Sequence, residues 1–302
     1  MQLQAIQFLH HHQINKQKWD QCIDGASNGL IYGFSNYLDA MASNWDALML
    51  NDYEAVMPLP CKKKFGINYI YQPAFTAQLG VFGNNPGKDL VTRFLQCVPE
   101  KFRYWDFSLN HGNELANELY FYKRVNYVLD LGSDYNTLYS NYRQNIKRNI
   151  KKAIAYNCTI ETDISIEPII ELAKEQSGAV SENDFERFKQ LFSHLKEKQL
   201  AKTYAVFSHN RQLLASAAFV FSHNRAYYIL VGNHPNGRTL GCSHALIDAF
   251  IKDHAGQNLL LDFEGSDIRS LAFFYSSFGA KEENYPAIRL NKMPWYIRWL
   301  KK

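Results

Sequence analysis

The sequence predicts an α/β protein built from two tandem copies of one module. In both halves of the chain, apolar runs with the composition of β-strands alternate with stretches of helical periodicity. Three pairs of residues also recur at nearly the same spacing, although identity between the halves is weak. They are Tyr69 and Tyr228 (159 residues apart), Asp106 and Asp262 (156), and Asn126 and Asn284 (158). A duplicated module explains this spacing; coincidence is the alternative, because each landmark is only two or three residues long.

Length and composition fit a globular protein with a sizeable core. The chain has 302 residues, of which 46% are hydrophobic and 21% charged, with a net charge of +4. These values exclude an intrinsically disordered chain, a collagen and a coiled coil. Aromatic residues make up 15% of the chain, which favours broad sheets and ring-lined clefts.

Cysteine use and the lack of long apolar segments predict a cytoplasmic protein. The five cysteines include no C-x-x-C pair and are odd in number, which argues against a disulfide framework or a structural zinc site. No apolar run reaches the roughly 18 residues that a membrane-spanning helix needs. The N-terminal residues lack the order of a signal peptide. His10, His11 and His12 are expected to form a solvated turn rather than a metal site.

The first copy, residues 1–140, is expected to contain a strand pair and two further strands. Residues 53–60 and 67–75 are β-rich runs on either side of a basic turn, CKKKFG. A helical stretch follows, and then YWDFSLN at 104–110 and a strand that begins at Asn126. This order of strand pair, helix and strand recurs in the second half.

A basic segment joins the copies, and its centre, residues 141–152, is predicted to be a connector helix. Arg143, Lys147 and Lys151 fall at i, i+4 and i+8, on one helical face. With two neighbouring cations they place five positive charges in ten residues without an acidic residue. Either this is a solvated helix face, or a phosphate-bearing ligand offsets the repulsion. Under the second interpretation, Arg143 and Lys147 bind substrate.

The second copy, residues 153–302, has the more complete pattern. Its predicted elements are strand 157–163, helices at about 167–176 and 183–198, strands 211–221 and 226–232, helix 244–255, strand 260–266, helix 268–279 and a last strand. Asp262 and Glu264 are expected to lie on one face of their strand, because side chains alternate along a strand.

The loop before helix 244–255 carries the main chemical signal. Arg238-Thr-Leu-Gly241-Cys-Ser243 leads from a strand into that helix, so successive N–H groups converge at a helix N-terminus. Such a terminus accepts phosphate through its unpaired donors and the positive end of the helix dipole. A plain surface turn with a serine cap is the alternative. The candidate cofactor-binding residues of this loop and the preceding strand are Gly232, Arg238, Thr239, Gly241, Cys242 and Ser243.

These residues resemble the Gcn5-related N-acetyltransferase (GNAT) superfamily. The order strand, R-x-x-G-x-small loop, helix, strand, and a helix that ends in Tyr275-Ser-Ser-Phe-Gly279 is similar to that of its members. The resemblance implies that Arg238, Gly241 and Ser243 hold the pyrophosphate of coenzyme A. It also implies that Tyr275 protonates the leaving thiolate.

Most of the chain is similar to the Fem-type double-GNAT proteins. The similarity lies in the tandem copies, in the connector N-Y-R-Q-N-I-K-R-N-I-K-K-A, and in L-D-F-E-G-S followed by F-Y-S-S-F-G-A. It implies two GNAT-like domains, each with a mixed central sheet flanked by helices, of which the first is degenerate. Fem peptidyltransferases move an amino acid from aminoacyl-tRNA onto a peptidoglycan precursor, and related double-GNAT proteins are thought to use acyl donors.

The resulting expectation is an N-acyl- or aminoacyltransferase. An acceptor amine attacks an activated carbonyl, so the site needs donors for the oxyanion, a base for the amine and an acid for the leaving group. By family likeness a strand-edge N–H near residues 230–232 is the oxyanion donor. Tyr275 is the candidate acid, Glu264 the candidate base and Asp262 a candidate substrate-binding residue. Packing or structural roles are the alternatives for Tyr275 and Glu264.

The resemblance also implies the partners. The donor is acyl-CoA or aminoacyl-tRNA, without a metal, and the acceptor is a small-molecule or cell-wall-precursor amine. A monomer or dimer without a membrane span is expected. Two other classes stay open: a tRNA- or nucleic-acid-associated protein, in which the connector follows phosphate, and a non-catalytic binder that keeps the double fold.

Overall fold

The computed structural model of the chain describes residues 5–115, 121–176, 178, 180–265, 267–295 and 298. Ser266, the last residue of the L-D-F-E-G-S motif, lies outside the described residues. The chain forms two compact units. Unit 1 consists of Met1–Arg124 and Asn284–Lys302, and unit 2 of Val125–Glu283.

Thirteen strands lie within the described residues. They are β1 (Ile6–Leu9), β2 (Trp45–Leu50), β3 (Ala55–Lys64), β4 (Ile67–Tyr71), β5 (Phe82–Gly83), β6 (Phe102–Ser108), β7 (Phe121–Asp130), β8 (Thr159–Thr162), β9 (Ala201–Phe207), β10 (Leu213–Ser222), β11 (Arg225–Asn233), β12 (Leu260–Asp262) and β13 (Lys281–Asn291). The sequence predictions missed β1, β2, β5 and β9, and they assigned the lysines at the end of β3 to a turn.

Ten α-helices lie in the same part of the chain. They are α1 (Lys16–Gly25), α2 (Ser35–Met41), α3 (Lys88–Gln96), α4 (Tyr135–Ser140), α5 (Gln144–Ala155), α6 (Glu167–Lys174), α7 (Glu182–Glu197), α8 (Pro235–Leu240), α9 (Cys242–His254) and α10 (Arg269–Ser276). No described helix is long and apolar enough to cross a membrane.

Both units contain a mixed sheet with the same succession of pairings. In unit 1 the order is β1-β2-β3-β4-β6 and then β13; in unit 2 it is β8-β9-β10-β11-β12 and then β7. In each sheet the first four strands are antiparallel, the fourth and fifth are parallel, and the last is antiparallel again. Tyr69 and Tyr228 lie on the equivalent strands β4 and β11. The predicted α/β fold with two copies of one module is thereby confirmed.

The last strand of each copy belongs to the unit formed mainly by the other copy. β7 follows β6 along the chain, but its residues 128–130 pair with β12. β13 follows α10, but its residues 287–291 pair with β6. For this reason the two compact units do not coincide with the sequence ranges 1–140 and 153–302, whose limits stay a prediction.

Two-residue turns close the equivalent hairpins β3–β4 and β10–β11. Phe65 and Gly66 have φ angles of 50° and 79°, and His223 and Asn224 have 51° and 53°. Positive φ at both central positions is the property of the hairpin turn whose twist matches that of the flanking strands. The lysines before Phe65 are therefore strand residues with solvated side chains.

Close packing fixes the connection from β11 to α9. This connection is not the predicted open loop, because α8 forms within it and Gly241, with φ of 79°, separates α8 from α9. A Cβ atom on Gly237 would lie 2.0 Å from the carbonyl oxygen of Leu214, and one on Gly241 would lie 2.7 Å from that of Asn149. Glycine is thus required where α8 meets β10 and where α9 begins against α5.

The Gly237→Ala substitution is expected to destabilise the fold by about 1–3 kcal/mol, because the added methyl group overpacks against backbone that cannot move aside. Urea denaturation of the purified protein measures this change. Gly25→Ala is the matched control, since nothing lies within 4 Å of a Cβ atom there; its free energy of unfolding should stay the same or rise. Equal effects of the two substitutions would contradict the packing argument.

Candidate active site

The predicted site lies in unit 2, where β11 and β12 part. Parallel pairing joins Arg225–Tyr227 to Leu260–Asp262, and β12 then ends. β11 continues to Asn233 and contains a bulge that leaves Ile229 as the extra residue opposite β10. Bulges of this kind re-aim backbone and side chains next to functional sites. The strand edge near residues 230–232, where the oxyanion donor is expected, therefore has no partner in β12.

Glu264 lies on a tight turn directly after β12. Its φ is 65°, a left-handed conformation that few non-glycine residues adopt. Two hydrogen bonds hold this turn: the N–H of Glu264 donates to Oδ1 of Asp262 at 2.8 Å, and the N–H of Gly265 donates to Oδ1 of Asn126 at 2.6 Å. β12 ends at Asp262, whereas the predicted strand ran on to residue 266. Glu264 is therefore not a strand residue, and the expectation that it shares a strand face with Asp262 is wrong.

A buried network of charged and amide groups supports this turn. The guanidinium of Arg225 donates to Asp262 at 2.6 Å and to both oxygens of Glu283 at 2.8 Å. Nδ2 of Asn126 donates to Asp262 at 2.8 Å. Burial alone would lower the pKa of Arg225, but its hydrogen bonds to Glu283 and the charges of both carboxylates outweigh burial and raise it. The carboxylate of Asp262, a predicted substrate contact, thus has partners within the protein.

The carboxyl group of Glu264 is unusual in having a buried, unpaired oxygen. Its Oε1 has no hydrogen-bond partner among the described residues. Burial raises the pKa of Glu264 to about 8, because a low dielectric disfavours the charged form. At neutral pH the carboxyl group of Glu264 is therefore mainly protonated. It loses its proton, and can then act as a base, as pH rises to about 8.

The ring of Tyr275 packs in an aromatic cluster near Glu264. It stacks on Phe263 with a centroid distance of 4.5 Å and lies edge-on to Tyr228 at 6.5 Å. Only 7% of Tyr275 is exposed. Burial first, and then the charge of Glu264, raise the pKa of its phenol above the ordinary value. The phenol therefore keeps its proton at neutral pH, as an acid requires, while the ring also contributes to the core.

The predicted donor loop brings some of its residues to the start of α9 and turns others away. Gly241 precedes the helix, and its carbonyl accepts hydrogen bonds from the N–H groups of His244 and Ala245 at 3.1 and 3.2 Å. The hydroxyl of Ser243 donates to Asn233. Cys242 is fully buried, so only its backbone faces the helix end.

The other predicted cofactor contacts have local partners. Nη2 of the exposed Arg238 donates to Gln176 at 2.9 Å, and the hydroxyl of Thr239 donates to the carbonyl of Pro235 at 3.3 Å. Gly232 is buried, and a Cβ atom there would lie 2.9 Å from Leu172 of α6. Arg238 is therefore the side chain of this set that can exchange its neutral partner, Gln176, for an anion.

The predicted connector helix corresponds to α5, and its two predicted substrate residues have contacts within unit 2. α4 and α5 are separated by residues 141–143, so Arg143 lies at the N-cap of α5 rather than within a continuous helix. Its guanidinium lies 4.9 Å from the ring centre of Phe273. Lys147 donates to the carbonyl of Ser140 at 3.1 Å and lies over the Tyr139 ring.

Sequence reasoning missed a histidine beside the donor loop. His244 follows Ser243 in the first turn of α9, and burial lowers the pKa of its imidazole to about 4, so it is neutral at pH 7. Nδ1 is buried without a partner among the described residues, and Nε2 lies 3.3 Å from Nδ2 of Asn149. The ring is edge-on to Phe274 at 4.9 Å. Its position after the loop was the only available signal in the sequence.

No cluster of three or more His, Cys, Asp or Glu side chains suited to hold a metal ion occurs in the part of the chain that the structure describes.

Residues 140–267 match the family model for an acetyltransferase (GNAT) domain. Three solved structures share the fold of the chain at low identity. They are FemX (13% identity, 96% of this chain and 98% of that chain covered, TM-score 0.67), a tandem GNAT protein from the clavulanic acid biosynthesis pathway (9%, 96% and 99%, TM-score 0.59), and L-PGS from Bacillus licheniformis (10%, 95% and 95%, TM-score 0.54). No curated protein matches the sequence. The family match includes the donor loop and Glu264, whereas Tyr275 lies beyond it.

The raised pKa of Glu264 makes stability depend on pH. The folded state binds a proton that the unfolded state releases above about pH 4.5, so the free energy of unfolding should fall as pH rises from about 4.5 to about 8. Glu264→Gln should remove this part of the dependence. Denaturant unfolding at about pH 5 and about pH 8.5 should therefore show the variant gaining stability relative to wild type at the higher pH.

Glu197→Gln is the control, because Glu197 is exposed at the end of α7. Its stability relative to wild type should be the same at both pH values. A Glu264→Gln variant that behaves like this control would show that the Glu264 carboxyl titrates normally in the folded protein.

Proposed function

Because the chain contains a GNAT acetyltransferase domain at residues 140–267 and has the Fem-type double-GNAT fold, we propose that it is an N-acyltransferase. It moves an acyl group from an activated donor, acyl-CoA, to an amine acceptor. The observation that carries the proposal is a pair of titratable groups after β12. One is the carboxyl of Glu264, whose Oε1 is buried without a partner among the described residues, and the other is the phenol of Tyr275, whose pKa is raised by burial and by the charge of Glu264.

The α8–α9 junction supports a pyrophosphate-bearing donor. The first turn of a helix has N–H groups without intrahelical acceptors and lies at the positive end of the dipole. Gly241, with φ of 79°, lets α9 begin directly after α8, and Ser243 adds a hydroxyl. Arg238 has only a neutral amide as partner, so it exchanges that contact for a charge-assisted hydrogen bond to phosphate.

The chemistry needs two proton transfers. Glu264, as the carboxylate, takes the proton of the attacking amine nitrogen while the new C–N bond forms. A backbone donor at the edge of β11 near residues 230–232 stabilises the oxyanion. When the carbon–sulfur bond breaks, the Tyr275 phenol donates its proton to the departing thiolate. Asp262 acts through the turn that it holds rather than by touching substrate.

Aminoacyl-tRNA is a second candidate donor, favoured by the surface of α5. This helix has four basic residues and no acidic residue, and Arg148, Lys151 and Lys152 are exposed. A tRNA-dependent enzyme would lose retained tRNA steeply as salt rises from about 50 to about 200 mM. Free thiol released from acetyl-CoA in the presence of an amine, at the same rate with and without tRNA, would exclude that donor.

Arg238→Ala is expected to weaken coenzyme A binding by about 1.5 kcal/mol, the low end for a charged hydrogen bond, because the guanidinium is exposed. Isothermal calorimetry with coenzyme A measures the affinity. Arg187→Ala, on α7 of the same unit, is the control with the same loss of charge and should bind like wild type. Equal affinity of wild type and Arg238→Ala would assign the junction to a plain turn.

Tyr275→Phe is expected to lower turnover by about 100-fold, the low end for general acid catalysis, because a thiol with pKa near 8.5 needs little help to leave. Donor affinity should hardly change. The ring keeps its contact with Phe263, so stability should change by less than about 1 kcal/mol. Thiol release from acyl-CoA measures turnover, and Tyr156→Phe, at an exposed position, is the control. A variant that unfolds early but turns over normally would make Tyr275 a core residue alone.

A further inference from the structure

Unit 1 contains an open cavity that the proposed acyl transfer does not use. Its volume is about 740 Å³, and its basic lining consists of the histidines at 10–12, the lysines at 62–64 and Lys101. The histidines lie after β1, the three lysines at the end of β3, and Lys101 just before β6. Segments far apart in sequence therefore bring seven basic side chains to one concave surface.

Among the described residues that line this cavity, Asp46 is the one acidic side chain, and it already has cationic partners. Oδ1 of Asp46 lies 3.5 Å from Nδ1 of His10, and Oδ2 lies 3.5 Å from Nζ of Lys101. The backbone N–H of His11 also donates to Asp46 at 3.3 Å. This carboxylate is buried. It interacts with His10, His11 and Lys101 and not with the lysines of β3.

The lysines of β3 have no acidic partner. Across the described residues, no carboxylate lies within ion-pair distance of Lys62, Lys63 or Lys64. Nζ of Lys62 lies 4.2 Å from the ring centre of Tyr71, which holds the ammonium group at the sheet surface. Lys62 and Lys64 lie on the same face of β3 because side chains alternate along a strand, so their like charges repel each other, and an anion would relieve that repulsion.

Protection of a sheet edge does not by itself explain where these lysines lie. Charged residues often cover an exposed edge and prevent pairing with another chain. β3 pairs with β2 through Ala55–Pro60 and with β4 through Cys61–Lys64, so among the described strands the lysines have a partner on one side only. Edge protection would need charge at that edge alone, whereas the lysines line a cavity together with the histidines at 10–12 and Lys101.

We propose that this cavity binds a small polyanion that carries two or more adjacent phosphate groups. The volume is in the range of small-molecule sites. Neutral hydrogen-bonding side chains, Ser43, Asn44 and Asn68, line it between the cations. Ammonium groups bind phosphate oxygens through charge-assisted hydrogen bonds, and several such groups around one concavity favour several linked phosphates over a single carboxylate.

Calorimetry of the full chain with inorganic pyrophosphate tests this site. Lys62→Gln and Lys64→Gln are each expected to weaken binding by about 3- to 10-fold, the effect of a part-exposed charge contact. Lys88→Gln removes the same charge from an exposed position of unit 1 outside the cavity and should bind like wild type. No measurable heat of binding, or equal weakening by Lys62→Gln and Lys88→Gln, would overturn the proposal.

Asp46→Asn provides a test with the opposite sign. Removal of the one acidic group in the lining should strengthen pyrophosphate binding by about 2- to 5-fold, a gain that misfolding cannot produce. Unchanged or weaker binding by a folded Asp46→Asn variant would contradict the assignment. Competition with pyrophosphate by a single-stranded RNA is the other outcome to be measured. If the RNA binds more tightly and its affinity falls steeply with salt, the ligand of the cavity is a nucleic acid and the proposal of a small polyanion is wrong.

Discussion

The buried ion network around Arg225 is the constraint on which the candidate active site depends. Its guanidinium meets the carboxylates of Asp262 and Glu283 at 2.6 and 2.8 Å, and Asn126 bonds to both. The buried carboxylate of Asp262 and the buried guanidinium of Arg225 are tolerable only because each finds hydrogen-bond partners, among them the partly buried Glu283, since an unpaired buried charge costs several kcal/mol. The network therefore fixes the ends of β7, β11, β12 and β13 that lie in unit 2.

The turn that carries Glu264 follows from that network. Asp262 and Asn126 accept hydrogen bonds from the backbone N–H groups of Glu264 and Gly265, which stabilises a left-handed residue that would otherwise be strained. The side chain is then held where burial raises the pKa of its carboxyl to about 8. A structural ion pair and a titratable group with catalytic potential are thus two consequences of one arrangement.

The two basic regions of the chain have different surroundings, which separates their proposed roles. α5 buries Ile146, Ile150 and Ala153 and leaves its cations on an exposed helix face, where water and salt weaken each charge. The lysines of β3 line a concave surface with other cations, so their fields add within a confined volume. The number of basic residues in a segment of the sequence therefore does not by itself determine the affinity of that segment for phosphate.

The sequence by itself determined the fold class, the duplication and the GNAT resemblance, because these depend on periodicity, spacing and local motifs. It also named Arg238, Gly241, Glu264 and Tyr275 as candidate site residues, since they belong to those motifs. It did not indicate that α8 forms inside the donor loop or that Asp262 pairs with Arg225. Nor did it indicate that Nδ1 of His244, beside Phe274, is buried without a partner among the described residues. The cavity that joins the histidines to the lysines of β3 was likewise invisible. Each of these depends on contacts between residues far apart in the chain, and only the tertiary structure decides which side chains are buried, paired or brought together.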